Sequence, residues 1–241
     1  MTGRVCRVAN LGRMAHAEAE ALQERLVAQV RVGEAPDALL LVEHEPVVTI
    51  GRAVKEPASD VAVALLESAG AEVRQVSRGG RATFHGPGQI VGYPIVALRG
   101  DSRDLHGFLR RLEASLVEAL GVYGIPATTR DGCTGVWVLG KKVGSIGVCV
   151  RSWVTYHGFS LNVEAAALPP AEMSPCGMPP GQMGCLRQLG FDTPESVLSN
   201  EIARAVAAQL GARTVTVTLQ QLLTNCSESG MMALPTTIGG R

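Results

Sequence analysis

Helical patterning of apolar residues marks several segments of the chain. It runs from about His16 to Val32, and residues 104–124 form a strongly amphipathic segment that ends at a glycine. Apolar residues on one face, followed by glycine, are typical of a helix that packs against a core and then stops. A short helix is also expected near Asp60–Ala69, and a longer one from Pro194 to about Leu210.

Short apolar runs between these helices are typical of β-strands. A first strand is expected at Val5–Ala9, and Glu45-Pro46 marks a turn between two further strands. The remaining expected strands are, in chain order, residues 38–44, 47–51, 71–77, 89–98, 134–140, 142–150, 153–163 and 213–219.

Three of these runs follow one another directly within residues 134–163. Gly140-Lys141 is expected to form a tight turn between the first two, and all three are expected to pair antiparallel. Such pairing excludes a fold made only of β-α-β units. The pattern therefore predicts one α+β domain over residues 1–224, followed by a polar tail at Asn225–Arg241 that is expected to be flexible.

Composition is typical of a soluble globular protein. The chain has 241 residues, of which 46% are apolar, enough for one large domain with a sizeable core. The formal net charge is zero, which argues against a protein that coats nucleic acid or a membrane surface. No apolar run reaches the roughly 18 residues of a transmembrane helix. The early arginines faintly resemble a mitochondrial presequence, but a strand leading into a helix is the favoured interpretation.

Cysteines and lysines are few, and their positions restrict the possible chemistry. The six cysteines lack C-x-x-C spacing, which indicates free thiols in a reducing compartment and no metal site. Nineteen arginines accompany only three lysines, of which Lys141 and Lys142 are adjacent. A lysine amine can take part in proton transfer, whereas an arginine cannot be deprotonated in proteins. The pair is therefore either part of the chemistry or a solvated hairpin turn.

Residues 77–94, SRGGRATFHGPGQIVGYP, contain five glycines. Such a density indicates that the backbone approaches another group closely or adopts conformations that a side chain would forbid. A P-loop requires a lysine that this stretch lacks, and the dinucleotide fingerprint fails because Val91 stands where its third glycine is required. The stretch is therefore not a nucleotide-binding loop of either kind.

Two histidines and one cysteine stand beside glycine or proline: His85, His157 and Cys176. Either histidine alone also fits a structural role in a strand. Cys176 lies between Pro175 and Gly177, which fix the backbone and clear space around the sulfur. The pKa of a free cysteine is about 8.5, so a nucleophilic thiolate at neutral pH needs a positively charged neighbour. A lysine on another strand can supply that charge.

Six motifs together resemble the lipoyl(octanoyl) transferase family of the biotin/lipoate protein ligase superfamily. They are EHxPxxTxGR at 43–52, RGGxxTFHGPGQ at 78–89, GKKV at 140–143, SIG at 145–147, HGFSLN at 157–162 and PCG at 175–177. The order of the motifs along the chain is that of the family. The combination of the RGGxxTFHGPGQ motif with a later PCG is highly specific.

The resemblance implies the fold of the biotin and lipoate ligases, which is α+β with a mixed β-sheet flanked by helices. It implies transfer of an octanoyl group from octanoyl-acyl carrier protein to a lysine of a lipoyl domain. The implied acceptors are the E2 subunits of 2-oxoacid dehydrogenases and the glycine cleavage H protein. No cofactor, metal ion, nucleic acid or membrane is expected to take part, and the implied location is the cytoplasm, or the mitochondrial matrix in a eukaryote.

By the same resemblance, Cys176 is the acyl-thioester nucleophile and Lys142 is the lysine that activates it. The implied substrate-binding residues are Arg78, Gly79, Gly80, Arg81, Ala82, Thr83, Phe84, His85, Ser145, Ile146, Gly147, His157, Gly158, Phe159 and Ser160. One departure concerns Gly184-Cys185, where the family usually has Thr-Ser. It weakens any role for a hydroxyl at that point and places a second thiol near the nucleophile in sequence.

The implied reaction explains why a nucleotide-binding loop is unnecessary. The donor is a thioester and the product is an amide, so transfer proceeds downhill without ATP. The glycines are then expected to let the backbone approach a thin acyl chain, with nearby amides stabilising the oxyanion of each tetrahedral intermediate. Burial of about six methylenes at roughly 0.8 kcal/mol each contributes about 5 kcal/mol of binding.

Three alternatives remain open from the sequence. An ATP-dependent lipoate-protein ligase activates a free carboxylate and needs no cysteine. A cysteine-dependent amidotransferase moves octanoyl between two lipoyl-type domains. In a non-catalytic acyl-binding protein, Cys176 is incidental.

Overall fold

The computed structural model describes residues 3–54, 72–169 and 181–224. Its strands are β1 Arg4–Met14, β2 Asp37–His44, β3 Val47–Ile50, β4 Glu72–Gln75, β5 Ala82–His85, β6 Gln89–Ile95, β7 Ala127–Arg130, β8 Cys133–Val138, β9 Lys141–Arg151, β10 Val154–Asn162 and β11 Ala212–Thr216. Its α-helices are α1 His16–Val32, α2 Leu105–Gly121, α3 Glu195–Gln209 and α4 Leu219–Leu223. Single 3₁₀ turns lie at Gly100–Ser102, Ala165–Ala167 and Arg187–Leu189.

The main sheet has eight strands in the order β11-β1-β2-β6-β10-β9-β8-β7. Strand β1 runs parallel to both β11 and β2. All other neighbours in this sheet are antiparallel, including the β8-β9-β10 meander. A second sheet has the order β4-β3-β5 and is also mixed. The mixed sheet and the predicted antiparallel pairing of the three consecutive strands are thus confirmed.

Alternation along β2 explains why helices cover both faces of the main sheet. Leu39 and Leu41 belong to the apolar cluster that contains side chains of α2 and α3. Leu40 and Val42 belong to the cluster that contains side chains of α1. Because successive side chains of a strand point to opposite faces, a continuous apolar run is the expected sequence for a strand buried on both sides.

The three long helices predicted from apolar spacing are confirmed within a few residues at each end. The first strand is longer than expected, since β1 extends to Met14. The helix expected near Asp60–Ala69 and the tail at Asn225–Arg241 lie outside the described residues. Within the described ranges, none of the helices has the length and apolar character needed to cross a membrane.

The tight turn between β8 and β9 lies one residue earlier than predicted. Val138 pairs with Lys141, so the two turn residues are Leu139 and Gly140, with φ of 46° and 82°. Positive φ at both positions is typical of a type I′ turn, whose twist matches that of the flanking strands. Lys141 is therefore the first residue of β9, and the prediction that it occupies the turn was wrong.

Candidate active site

A cavity of about 440 Å³ lies where β8 diverges from β9 and the glycine-rich loop covers the free part of β9. Gly79 N–H donates to the Val148 carbonyl of β9 at 3.3 Å, which attaches this loop to the strand. The predicted site residues that line the cavity are Arg78, Gly79, Gly80, Arg81, Thr83, His85, Lys142, Ser145, Ile146, Gly147, His157, Gly158, Phe159 and Ser160. Together with Arg52 of the EHxPxxTxGR motif, they bring five of the six sequence motifs to one cavity.

Two predicted site residues of β5 lie away from this cavity. Ala82 packs with Val48 and Ile50 in the core of the small sheet, and Phe84 packs against the same group. Phe84 also contributes to a much smaller adjoining pocket that reaches Asn162. Along β5, the neighbouring residues Thr83 and His85 line the main cavity instead.

Arg78 is a buried cation, fixed by the chain around it. Its guanidinium donates to the Thr49 carbonyl and hydroxyl oxygens at 2.7 Å each, and to the Arg81 carbonyl at 2.8 Å. A Cβ at Gly51 would lie 2.8 Å from Nη1 of Arg78 and 2.4 Å from the Gly80 carbonyl oxygen. The glycine at 51 is therefore required for the close approach of the two loops.

A chain of buried hydrogen bonds leads from Arg78 to the Gly184 carbonyl. Thr49 accepts from Arg78 and lies 3.3 Å from Nε2 of His85, whose Nδ1 lies 2.6 Å from Oε1 of Gln89. Gln89 donates to Asn162 at 2.8 Å, and Asn162 donates to the Gly184 carbonyl at 3.1 Å. Since Gln89 Oε1 can only accept, His85 carries its proton on Nδ1. Burial, together with nearby His44, lowers the pKa of His85 well below its usual range, so its ring is neutral at pH 7.

His157 occupies a strained point in β10, with a φ of 54°. Its backbone N–H donates to the Gln23 side chain at 2.7 Å, and its Nε2 lies 3.1 Å from the Ser77 hydroxyl. Burial lowers the pKa of His157 to about 4, with a further contribution from the positive charge of Arg78. A left-handed conformation is costly for histidine, and such strain is common where a side chain is held for function.

Lys142 of β9 is 5% exposed and lines the cavity. The Lys142 side chain extends towards Gly135 of β8, which has a φ of 139° and where a Cβ would lie 2.5 Å from Cε of Lys142. The Gly135 N–H donates to the buried Glu113 carboxylate at 2.8 Å, which holds the irregular part of β8 in place. Among the described residues, no carboxylate lies within salt-bridge distance of Lys142.

The segment Gln182–Gly184 docks on the backbone of Lys142. The Lys142 N–H donates to the Gln182 carbonyl at 2.9 Å, and the Gly184 N–H donates to the Lys142 carbonyl at 3.0 Å. The neighbouring Lys141 crosses this segment and donates from Nζ to the Gly181 carbonyl at 2.6 Å. A Cβ at Gly184 would lie 2.7 Å from Cβ of Lys141, so this packing needs a glycine where the resembled family usually has threonine.

Cys176 lies outside the described residues, in the segment bounded by Pro169 and Gly181. Cys185 is fully buried, so it is not accessible as a competing nucleophile. Cys133 is exposed at the start of β8 and lines the cavity. Across the described ranges, no group of three or more His, Cys, Asp or Glu side chains is arranged to hold a metal ion.

Other lining residues were not among the predicted site residues: His16, Arg52, Val91, Tyr93, Leu105, Leu109, Gly132, Cys133, Thr134 and Val148. Arg52 ends the EHxPxxTxGR motif, which was a usable signal. Leu105 and Leu109 belong to an amphipathic helix, and an apolar residue that lines a cavity has the same pattern as one that lines a core. No sequence feature indicated that His16 would line a cavity, and its only distinction is its place at the start of α1.

Comparison with known proteins places these features in a family context. The family model of the lipoyl protein ligase A/B catalytic domain matches residues 15–210. An octanoyltransferase of Geobacter sulfurreducens is 42% identical over 200 residues, which cover 83% of this chain and 77% of the relative. An octanoyltransferase of Rubrobacter xylanophilus is 44% identical over 200 residues, which cover 81% of this chain and 89% of the relative.

Solved structures show the same fold at low sequence identity. A chain from the structure of a bi-partite lipoate protein ligase and its E2 lipoyl domain from Thermoplasma acidophilum has a TM-score of 0.67 at 15% identity. The match covers 91% of this chain and 90% of the other. Lipoate-protein ligase A, solved with ATP bound, has a TM-score of 0.64 at 15% identity, with 92% of each chain covered. The predicted ligase-like fold is thereby confirmed.

Proposed function

The chain belongs to the lipoyl protein ligase A/B catalytic-domain family and is an acyltransferase of the octanoyltransferase kind; from that premise we propose that it transfers octanoyl through a thioester on Cys176. The donor in this proposal is octanoyl-acyl carrier protein. The acceptors are the lysines of lipoyl domains, in 2-oxoacid dehydrogenase E2 subunits and in the glycine cleavage H protein. Residues 1–224 act as one catalytic domain.

The observation that carries the proposal is the environment of Lys142. This buried amine lines the cavity and has no carboxylate partner in the described part of the chain. Its backbone pairs with Gln182–Gly184, and Cys176 is five residues before Gly181 in the sequence. A buried ammonium without a counter-ion is costly. The Cys176 thiolate, in the segment that precedes Gly181 in the sequence, is the partner that the positive charge of Lys142 favours.

The first half-reaction forms the acyl-enzyme. Proton transfer from the Cys176 thiol to the Lys142 amine gives a thiolate and an ammonium. The thiolate attacks the carbonyl carbon of the donor thioester, and the bond from that carbon to the carrier sulfur breaks. The carrier sulfur leaves with the proton of the Lys142 ammonium, so the lysine becomes a neutral amine.

The second half-reaction uses that neutral amine as a base. The acceptor lysine attacks the Cys176 thioester, and Lys142 removes a proton from its nitrogen as the amide forms. The bond between the carbonyl carbon and the Cys176 sulfur breaks, which restores the thiolate and the Lys142 ammonium. Neither step consumes ATP, because the donor thioester is already activated.

The apolar part of the cavity accounts for binding of the acyl chain. Val91, Leu105, Leu109 and Phe159 line it. Gly147 and Gly158 also line it, and their lack of a side chain lets Arg78 and the β6 backbone approach closely. Burial of about six methylenes at roughly 0.8 kcal/mol each contributes about 5 kcal/mol. That contribution discriminates strongly against short acyl groups.

Transfer assays with three donors test the proposal. The purified chain is incubated with a lipoyl domain and either octanoyl-acyl carrier protein, octanoate with Mg-ATP, or a second octanoylated lipoyl-type domain. We expect the lipoyl domain to gain one octanoyl group from the carrier protein without ATP, as measured by intact mass.

Each other outcome identifies an alternative. Transfer that requires octanoate and ATP contradicts the proposal in favour of a ligase. Transfer only from the second lipoyl-type domain favours the amidotransferase, and no transfer from any donor favours a non-catalytic acyl-binding protein.

A further inference from the structure

The residues that line the main cavity range from exposed to fully buried. Arg52, Gly80, Arg81 and Cys133 are exposed and mark its mouth. At the other side, His16 is 3% exposed, Tyr93 is 3% exposed and Val91 is 1% exposed. The cavity is therefore closed at the end where α1 begins over β6.

The closed end has a rigid component in Tyr93. Its hydroxyl lies 2.7 Å from Nε2 of His44, and Nδ1 of His44 lies 2.8 Å from the Met14 carbonyl oxygen. Since the carbonyl can only accept, His44 donates from Nδ1 and accepts the tyrosine proton at Nε2. Displacement of the Tyr93 ring would leave Nε2 of His44 buried without a hydrogen-bond partner. Because an unsatisfied buried polar group is costly, the Tyr93 ring is held in place.

His16 is the other component of the closed end, and its side chain differs from that of Tyr93 in its hydrogen bonding. It is the first residue of α1, and its ring centroid lies 5.2 Å from that of His44 and 6.2 Å from that of His85. Its buried Nδ1 has no hydrogen-bond partner among the described atoms. Replacement of His16 therefore breaks no side-chain hydrogen bond in the described part of the chain, unlike replacement of Tyr93.

Strand register gives the distance between the closed end and the reactive lysine. Gly92, next to Tyr93, is opposite Phe159 of β10, and Gly158 is opposite Gly147 of β9. Tyr93 thus lies two strands from β9 and level with Gly147, five residues along from Lys142. With strands about 4.8 Å apart and about 3.3 Å per residue, the two backbones are roughly 19 Å apart.

That distance fits a medium-length acyl chain between the two side chains. Eight carbons joined by bonds of about 1.5 Å extend over roughly 9 Å. Lys142 lines the cavity at one end of this distance, and Tyr93 and His16 line it at the other.

We propose that His16 is the stop that sets the length of the acyl chain in this cavity. The inference rests on the proposed function and adds the residue that makes it specific for eight carbons. The stop is a neutral ring, because burial lowers the pKa of His16 to about 3. Its ring is buried against those of His44 and His85, which lets it resist displacement by a flexible alkyl chain.

The test compares octanoyl- and decanoyl-acyl carrier protein in single-turnover transfer to a lipoyl domain. In His16→Ala, the ratio of decanoyl to octanoyl rate should rise about 15-fold over wild type, which corresponds to two further buried methylenes at about 0.8 kcal/mol each. His16→Val should give a smaller rise in the same direction, and it serves in place of the alanine variant if that variant does not fold. His16→Leu, which keeps the size of the side chain, should retain the wild-type preference.

Leu22→Ala is the matched control, because Leu22 lies on the buried face of α1 but does not line the cavity. It should lower the free energy of unfolding and leave the chain-length ratio unchanged. An unchanged ratio in both His16→Ala and His16→Val, with octanoyl transfer by wild type intact, overturns the proposal for His16 alone. Absence of transfer by wild type contradicts the proposed function instead.

Discussion

At the scale of single residues, Gly135 shows how the chain makes room for a reactive amine. A Cβ at this position would lie 2.5 Å from Cε of Lys142 and 2.4 Å from the Gly144 carbonyl oxygen. The backbone at 135 also has a φ of 139°, which only glycine adopts readily. No sequence motif pointed to Gly135, because its requirement arises from a side chain on the neighbouring strand.

Gly135→Ala should therefore slow octanoyl transfer by at least about tenfold, or about 1.4 kcal/mol of transition-state stabilisation. The matched control is Gly124→Ala, at a glycine with φ of 70° and open space around the missing Cβ. The control should lose stability on the order of 1 kcal/mol from backbone strain alone. Steady-state transfer and urea unfolding of both variants separate the two effects. Equal transfer rates in the two variants would show that Gly135 does not act through Lys142.

Lys142→Arg keeps a positive charge but cannot release its proton. If Lys142 is both charge partner and base, this variant should still form some acyl-enzyme, whereas its transfer to the lipoyl domain should become very slow. Lys142→Ala should impair both steps. Single-turnover rates of acylation and deacylation, measured separately, check this. A deacylation rate equal to that of wild type in Lys142→Arg would remove the base role.

At the scale of elements, the buried amide network couples the strands to the segment after Cys176. Asn162 of β10 accepts from Gln89 of β6 and donates to the Gly184 carbonyl. Gly184 in turn donates to the backbone of Lys142. The HGPGQ and HGFSLN motifs therefore meet at the point where the chain returns to the lysine.

Asn162→Ala should lower the free energy of unfolding by about 1–3 kcal/mol, because it removes a bond from each of two buried polar groups. Asn10→Ala is the control, since the exposed Asn10 side chain accepts one local turn bond, from the Gly12 N–H, among the residues that the structure describes. Urea denaturation measures both. Equal losses in the two variants would contradict a structural role for the network.

The pattern of apolar residues predicted the three long helices and most strands, because periodicity depends on burial and each element buries one or both faces. It did not predict that β1 pairs with β11 from the far end of the chain, since pairing partners leave no local trace. The β8–β9 turn was displaced by one residue, because a leucine here adopts the left-handed conformation that usually marks glycine. In the site, the motifs identified the glycine-rich loop and Lys142 by resemblance, whereas His16 and Tyr93 reach the cavity only through tertiary packing.

At the scale of the whole molecule, a group of neutral histidines makes stability depend on pH. Burial lowers the pKa of His16 to about 3 and that of His157 to about 4, and it also lowers those of His44 and His85. In the unfolded chain the pKa of each histidine is about 6.5. As the pH falls, the unfolded state therefore binds protons before the folded state does. The free energy of unfolding therefore keeps its full value above about pH 6.5 and decreases progressively as the pH falls towards 4.

The free energy of unfolding should therefore fall between pH 7 and pH 5, by up to about 1.4 kcal/mol per pH unit for each buried histidine. Urea unfolding at intervals across this range measures the slope. His157→Gln should reduce the slope, and His106→Gln, at an exposed position, should not. Equal unfolding free energies at pH 7 and pH 5 would contradict the buried neutral state of these rings.

Whether residues 1–224 form one domain stays a prediction, and so does the role of Cys176 in the chemistry of the molecule. The most direct test of the central claim is intact-mass measurement of the enzyme after incubation with octanoyl-acyl carrier protein and no acceptor. We predict a gain of one octanoyl group on wild type, its absence from Cys176→Ser, and its loss when a lipoyl domain is added. Full transfer to the lipoyl domain by Cys176→Ser, or an octanoyl group that stays on the wild-type enzyme after the acceptor is added, would contradict the thioester mechanism.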